Sequence, residues 1–199
     1  MSLEGIKIPA EIKTGIQDYL ADWSRAAPSH LALPRSRPRL LLPHRLYRYL
    51  GERQRDKAHL ALVKPVGWRC FVRTASLALI AVDAFESKSG FGFRIHMGRN
   101  TERWMDLIRR IRLKKRWDSD RYAMRTLLAP ATYDSALWFA GSHGSDQLFA
   151  LDWKGNGLSA ARWITAAEWE ESVDSAASHA AELWRKARES SLSLQPQHS

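Results

Sequence analysis

Phe91-Gly92-Phe93-Arg94-Ile95-His96-Met97-Gly98 sets an apolar side chain at every second position, with glycine, arginine or histidine between. Successive side chains of a strand point to opposite faces, so this stretch reads as a strand with one face buried and one wet. Lys88, Ser89 and Gly90 ahead of it supply a turn. Upstream, Leu60–Val63 closed by Pro65 and Gly67, then Trp68–Arg73, then Leu77–Val82 read as further strands. His44–Leu50, with Leu46, Tyr47 and Leu50 at helical spacing and Gly51 as a stop, reads as a short helix.

Downstream a helix follows from Thr101, and Tyr122–Leu128, Ala136–Phe139, Leu148–Trp153 and Ala160–Ile164 read as strands. Gly141–Asp146 and Lys154–Gly157 supply turns, so the last three runs are expected to form a meander. Near the N-terminus, Pro9 suits an opening helical turn, and Ile12, Ile16, Tyr19, Leu20 and Trp23 make one apolar stripe, weakened by Gly15. At the other end Thr165 and Glu168 form a capping box, and Ala166, Trp169, Val173, Ala176, Ala180, Leu183 and Ala187 repeat at three and four residues.

The expected fold is α+β: a mostly antiparallel sheet of about six or seven strands, with N-terminal, central basic and C-terminal helices packed on it. The expected organisation is an N-terminal helix in 1–27, a Pro/Arg-rich arm or linker in 28–43, one α+β domain in 44–189 and a disordered tail in 190–199. The longest apolar stretch, Ser76–Val82, is ended by Asp83 and falls far short of the ~20 residues that cross a bilayer. Cys70 is the single cysteine and shares a strand face with Trp68 and Val72, which reads as a small buried hydrophobe. A cytoplasmic location is the expectation.

The chain carries a formal charge of +10, concentrated in two segments. Between Arg35 and Lys57, Arg35, Arg37, Arg39, Arg45, Arg48, Arg53, Arg55 and Lys57 are opposed only by Glu52 and Asp56. Between Arg99 and Arg125, ten basic residues face Glu102, Asp106, Asp118 and Asp120. Clustered charge of one sign concentrates anionic partners, although solvated helix faces carry similar runs. In the helix after Thr101, Trp104, Leu107, Ile108 and Ile111 share one side, while Arg103, Arg109, Arg110, Arg112, Lys114 and Arg116 ring the rest. A rigid cationic helix can lie along phosphates, and Trp117 or Tyr122 close by can stack on bases, the combination used by single-strand binders. Arg35, Arg37 and Arg39 alternate with proline in an extended arm suited to tracking a groove, or to serving as a charged linker.

Little in the sequence points to catalysis. Asp83, Glu86 and Lys88 approximate the spacing of metal-dependent nucleases, but they crowd into a strand end and a turn. Ser142, His143, Ser145 and Asp146 fall on one tight turn, where nucleophile, base and orienter cannot line up in series. The histidines lack metal-ligand spacing, and no glycine-rich loop precedes a helix, so no metal and no cofactor is expected. The stretch Phe139–Trp163, with Gly144, Asp146, Leu148, Leu151, Asp152 and Gly157 before Trp163, resembles the late hairpin of the SUKH superfamily of bacterial immunity proteins. The resemblance covers that stretch alone and implies a small protein that blocks a toxin by surface binding.

The expectation is a non-catalytic protein using a cationic surface, formed by Arg103, Arg109, Arg110, Arg112, Lys114, Arg116, Trp117, Arg35, Arg37 and Arg39, to engage nucleic acid or an acidic protein surface. The alternative is a protein-interaction module such as an immunity or adaptor protein, to which nine tryptophans would contribute an interface as well as a core. A metal-dependent hydrolase stands third.

Overall fold

The computed structural model of the protein describes residues 7–33, 38–49, 63–113, 122–129, 134–141, 146–151 and 162–193. Its first four strands are β1 (Leu41–Arg48), β2 (Lys64–Arg73), β3 (Leu79–Ser87) and β4 (Gly90–His96), each antiparallel to the next. The period-2 reading of 91–98 is met by β4, which turns Phe93 and Ile95 inward and leaves Arg94 exposed. Pro65 and Gly67 do not close a strand, because both lie inside β2. Proline is tolerated there at a register shift opposite Tyr47. Leu60–Leu62 lie outside the described residues.

The segment expected to be a helix at His44–Leu50 is instead strand β1 over Leu41–Arg48, and it sits at the centre of the sheet. Leu46 and Tyr47 satisfy helical spacing, but His44 and Leu46 also alternate with Arg45 and Tyr47, and pairing on both edges decides the outcome. Pro43 falls in a bulge between Leu41 and His44, where its missing N–H costs the ladder nothing.

The second half repeats the plan with β5 (Tyr122–Ala129), β6 (Asp134–Gly141), β7 (Gln147–Leu151) and β8 (Arg162–Ile164), again an antiparallel meander. The two meanders join through β1 and β5, which run parallel. The sheet is therefore mixed and eight-stranded among the described residues, in the order β4-β3-β2-β1-β5-β6-β7-β8, rather than six or seven strands. From the outer strand β4 the chain crosses back to the centre through α2 (Arg99–Leu113), a long connection of the kind parallel neighbours require.

Helices cover both faces. On one face α1 (Ala10–Ala26) buries Ile12, Ile16 and Leu20 against Trp68, Cys70, Val72, Ile80 and Val82, each such aliphatic side chain contributing about 2 kcal/mol. The Phe93 ring would touch a β-carbon on Gly15 at 3.1 Å, so this glycine is a packing contact for the sheet rather than only a weak point in the helix. On the same face, over the second meander, α3 (Ala166–Ser193) docks Trp169 and Val173 on Leu127, Trp138 and Leu148. The α2 helix lies on the opposite face, with Trp104, Met105 and Ile108 against Phe71, Ala81, Leu137 and Phe139.

The capping box of α3 is formed: the Glu168 N–H donates to Thr165 Oγ1 at 3.1 Å and the Thr165 N–H donates to Glu168 Oε2 at 2.7 Å. The helix continues through Ser193, into the segment expected to be disordered. Its apolar seam leaves the sheet after Val173, so Leu183 is 54% and Trp184 78% exposed. Among the described residues no helix is long and apolar enough to cross a membrane.

Candidate functional site

The face under α2 carries a row of polar side chains across adjacent strands. In register, His44 of β1 stands beside Arg69 of β2, Arg69 beside Asp83 of β3, and Asp83 beside Arg94 of β4. Arg69 and Asp83 are 7% and 1% exposed, and a buried charge is tolerable only when its hydrogen bonds are complete. Here they nearly are. Arg69 donates from Nε to Oδ1 at 2.6 Å and from Nη2 to Oδ2 at 2.7 Å. His96 donates from Nε2 to Oδ2 at 2.8 Å. Burial pushes the Asp83 carboxyl up, but the Arg69 charge, with the hydrogen bonds from Arg69 and His96, outweighs it and holds the group at about 2. The carboxylate is therefore ionised throughout the physiological range.

His44 ends the row in the opposite state. Its Nδ1–H donates to the Leu42 carbonyl at 2.7 Å, so Nε2 accepts from the Thr126 hydroxyl at 2.8 Å. Complete burial lowers its pKa to about 4, and the ring is neutral. Its contact with Thr126 ties β1 to β5 at the join of the two meanders.

Two concavities flank α2 on this face. A cleft of about 710 Å³ opens beside its N-terminal half, with Arg48, Arg69, Arg94 and His96 on its polar walls and Phe71, Phe85 and Trp104 on its apolar ones. A groove of about 300 Å³ runs beside the following turns, between Arg39, Arg73 and Arg109. Asp106 pairs with Arg109 at 3.4 Å across one turn of α2, an exposed contact that neutralises little. The Arg69–Asp83 pair cancels its own charge, so among the described residues Arg48 and Arg94 carry the net field of the cleft.

Of the residues expected to bind a partner, Arg39 and Arg109 line one groove, which joins the arm to the basic helix. Arg103 and Arg110 are exposed on α2 away from its buried side. Arg35, Arg37, Lys114, Arg116 and Trp117 lie outside the described residues, and Arg112 is described by its backbone alone. Arg73, Arg48 and Arg94 were missed. The alternation of 91–98 put Arg94 and His96 together on the wet face of a strand, which was the available signal. No local pattern connects them with Arg48, whose strand is brought near only by the sheet.

Other arginines are consumed internally. On the α1 face Trp68, Arg45, Arg125 and Trp138 stand in register across β2, β1, β5 and β6. Arg45 lies 4.9 Å from the Trp68 ring and Arg125 4.4 Å from the Trp138 ring. Arg45 also pairs with Glu86 at 2.5 Å.

That last contact bears on the hydrolase alternative. Asp83 and Glu86 are three residues apart on one strand and so point to opposite faces, and each is already bound to arginine. The sheet does not bring them together around one ion. Cys70 is fully buried, and burial pushes its thiol up to about 12, the property of an inert core residue. Ser142 and His143 lie outside the described residues, while Asp146 Oδ1 accepts from the Gly141 N–H at 3.2 Å as a turn residue does. No family model matches the chain, and neither a curated protein nor a solved structure matches it.

Proposed function

We propose that this is a non-catalytic binding protein whose cationic surface, on and beside α2, engages a polyanionic partner, with nucleic acid first. The observation that carries the reading is the groove in which Arg39 of the arm, Arg73 at the end of β2 and Arg109 of α2 meet. Three exposed guanidinium groups from three separated chain segments offer phosphate contacts along a strand, each able to make paired hydrogen bonds. A nucleic-acid partner and a lone buried thiol both fit a cytoplasmic setting.

The test is fluorescence anisotropy of a labelled single-stranded oligonucleotide over a salt series. Each phosphate neutralised releases counterions, so replacing Arg39, Arg73 and Arg109 together by Ala is expected to flatten the log–log salt slope by about 2 to 3. All three are exposed, so the variant is expected to retain the fold. Absence of binding at low salt overturns the reading.

A second reading, a protein-interaction module of the immunity or adaptor kind, is favoured by Leu183 and Trp184, which stand exposed on the part of α3 beyond the sheet. Loss of a stoichiometric partner protein on Trp184→Ala, with oligonucleotide binding absent, is the outcome that selects it.

A further inference from the structure

We infer that the cleft at the N-terminal half of α2 is a separate site for a phosphate monoester carried on a flat ring, a nucleoside 5′-phosphate, either free or at the end of a strand. The argument begins with charge. Arg48 and Arg94 are exposed at the cleft, and among the described residues neither is paired with a carboxylate. Among the described residues the one carboxylate lining it, Asp83, is committed to Arg69 and His96. Two uncompensated guanidinium groups facing one cavity match a dianion better than a single carboxylate, and guanidinium geometry suits phosphate oxygens.

Order comes next. Asp83 holds Arg69 by Nε and Nη2, so Nη1 takes no part in the pair, and it fixes the His96 ring by accepting from Nε2. The Arg69 donor at the base of the cleft is thus oriented before anything binds, which reduces the ordering cost of binding. The Arg94 guanidinium lies 5.7 Å from the Phe85 ring, a surface on which a flat group can stack.

Size and wall chemistry complete the case. Inorganic phosphate fills a small part of about 710 Å³, whereas small-molecule sites span about 300–1,000 Å³ and combine apolar walls with a few placed polar groups. Phe71, Phe85 and Trp104 supply the apolar side, and Ser135 and Thr101 add hydroxyls. A ligand that uses both walls carries its charge at one end and a ring at the other.

The inference is independent of the polyanion reading, because it concerns other arginines. Isothermal titration calorimetry of the full chain with adenosine 5′-monophosphate, adenosine and inorganic phosphate tests it. Expected is saturable binding of the monophosphate, with adenosine and phosphate each at least about tenfold weaker, and a loss of about tenfold or more on Arg48→Ala or Arg94→Ala. The triple alanine variant at Arg39, Arg73 and Arg109 is expected to bind the monophosphate as the parent does. Anisotropy with 5′-phosphorylated and 5′-hydroxyl oligonucleotides then distinguishes the sources: preference for the phosphorylated end, lost on Arg94→Ala, identifies a strand terminus, and equal binding identifies the free nucleotide. The site is refuted if the monophosphate does not bind, if it binds no tighter than adenosine, or if the Arg48 and Arg94 variants bind it unchanged.

Discussion

Arg69 and Asp83 face each other across β2 and β3 through two hydrogen bonds of 2.6 and 2.7 Å, both nearly inaccessible to water. The pair lies beneath α2, where Arg69 also stands 5.3 Å from the Trp104 ring. It therefore connects the sheet's polar row to the helix that carries Arg103, Arg109 and Arg110.

Asp83→Asn preserves the shape of the pair and removes its negative charge, leaving Arg69 buried and uncompensated. A loss of about 3–5 kcal/mol in urea unfolding is expected. Replacing both residues, Arg69→Met with Asp83→Leu, should recover much of it, since no orphan charge remains. Equal loss in the single and double variants would show that packing, not charge, is at stake.

His44 makes stability depend on pH in a separate window. Its folded pKa of about 4 lies below the ordinary 6.5, so between these values the unfolded chain binds a proton that the native state refuses. The stabilisation is complete above pH 6.5 and falls by about 3 kcal/mol as pH drops to 4. Asp83 acts in the same direction lower down, its share being lost as pH falls from 3.8 toward 2. Urea midpoints measured from pH 8 downward should show the upper slope in the parent and a shallower one in His44→Asn.

Gly67 is required by a close approach of backbones. A β-carbon there would sit 2.0 Å from the Ala84 carbonyl oxygen, which belongs to the paired strand and cannot swing aside. Gly67→Ala is expected to cost about 3 kcal/mol or more by forcing β2 from β3. Gly92→Ala, where nothing lies within 4 Å, serves as the control and should change stability little.

Leu77 occupies the turn between β2 and β3 with φ of 64° and a side chain 71% exposed. An L-residue with a bulky side chain is strained in that conformation, and the exposed side chain contributes little in return. Leu77→Gly is expected to raise stability by up to about 1 kcal/mol, read as an increase in Tm.

Local features were legible because their causes are local. The Thr165–Glu168 box, the stripe of Ile12, Ile16 and Leu20, and the alternation through Phe93 and Ile95 each depend on residues a few positions apart. β1 was not legible in this way. Its identity depends on partners in β2 and β5, and the His44–Thr126 contact spans 82 positions. A central strand covered on both faces also loses the clean alternation that marks a strand with one wet face.

The candidate site divides along the same line. Charge on α2 and the arm followed from composition, but which arginines share a concavity did not. Arg45 and Arg125 were spent on tryptophan rings, while Arg48, Arg73 and Arg94 came to the α2 face from three different strands. By itself the sequence determined an α+β chain, its capped and amphipathic helices and its excess of positive charge, all properties of neighbours along the chain. Tertiary structure alone decided the parallel join of β1 to β5, the burial of Arg69 with Asp83 and the grouping of arginines beside α2. These depend on pairings between distant segments, whose free energy is realised only once the sheet has closed around them.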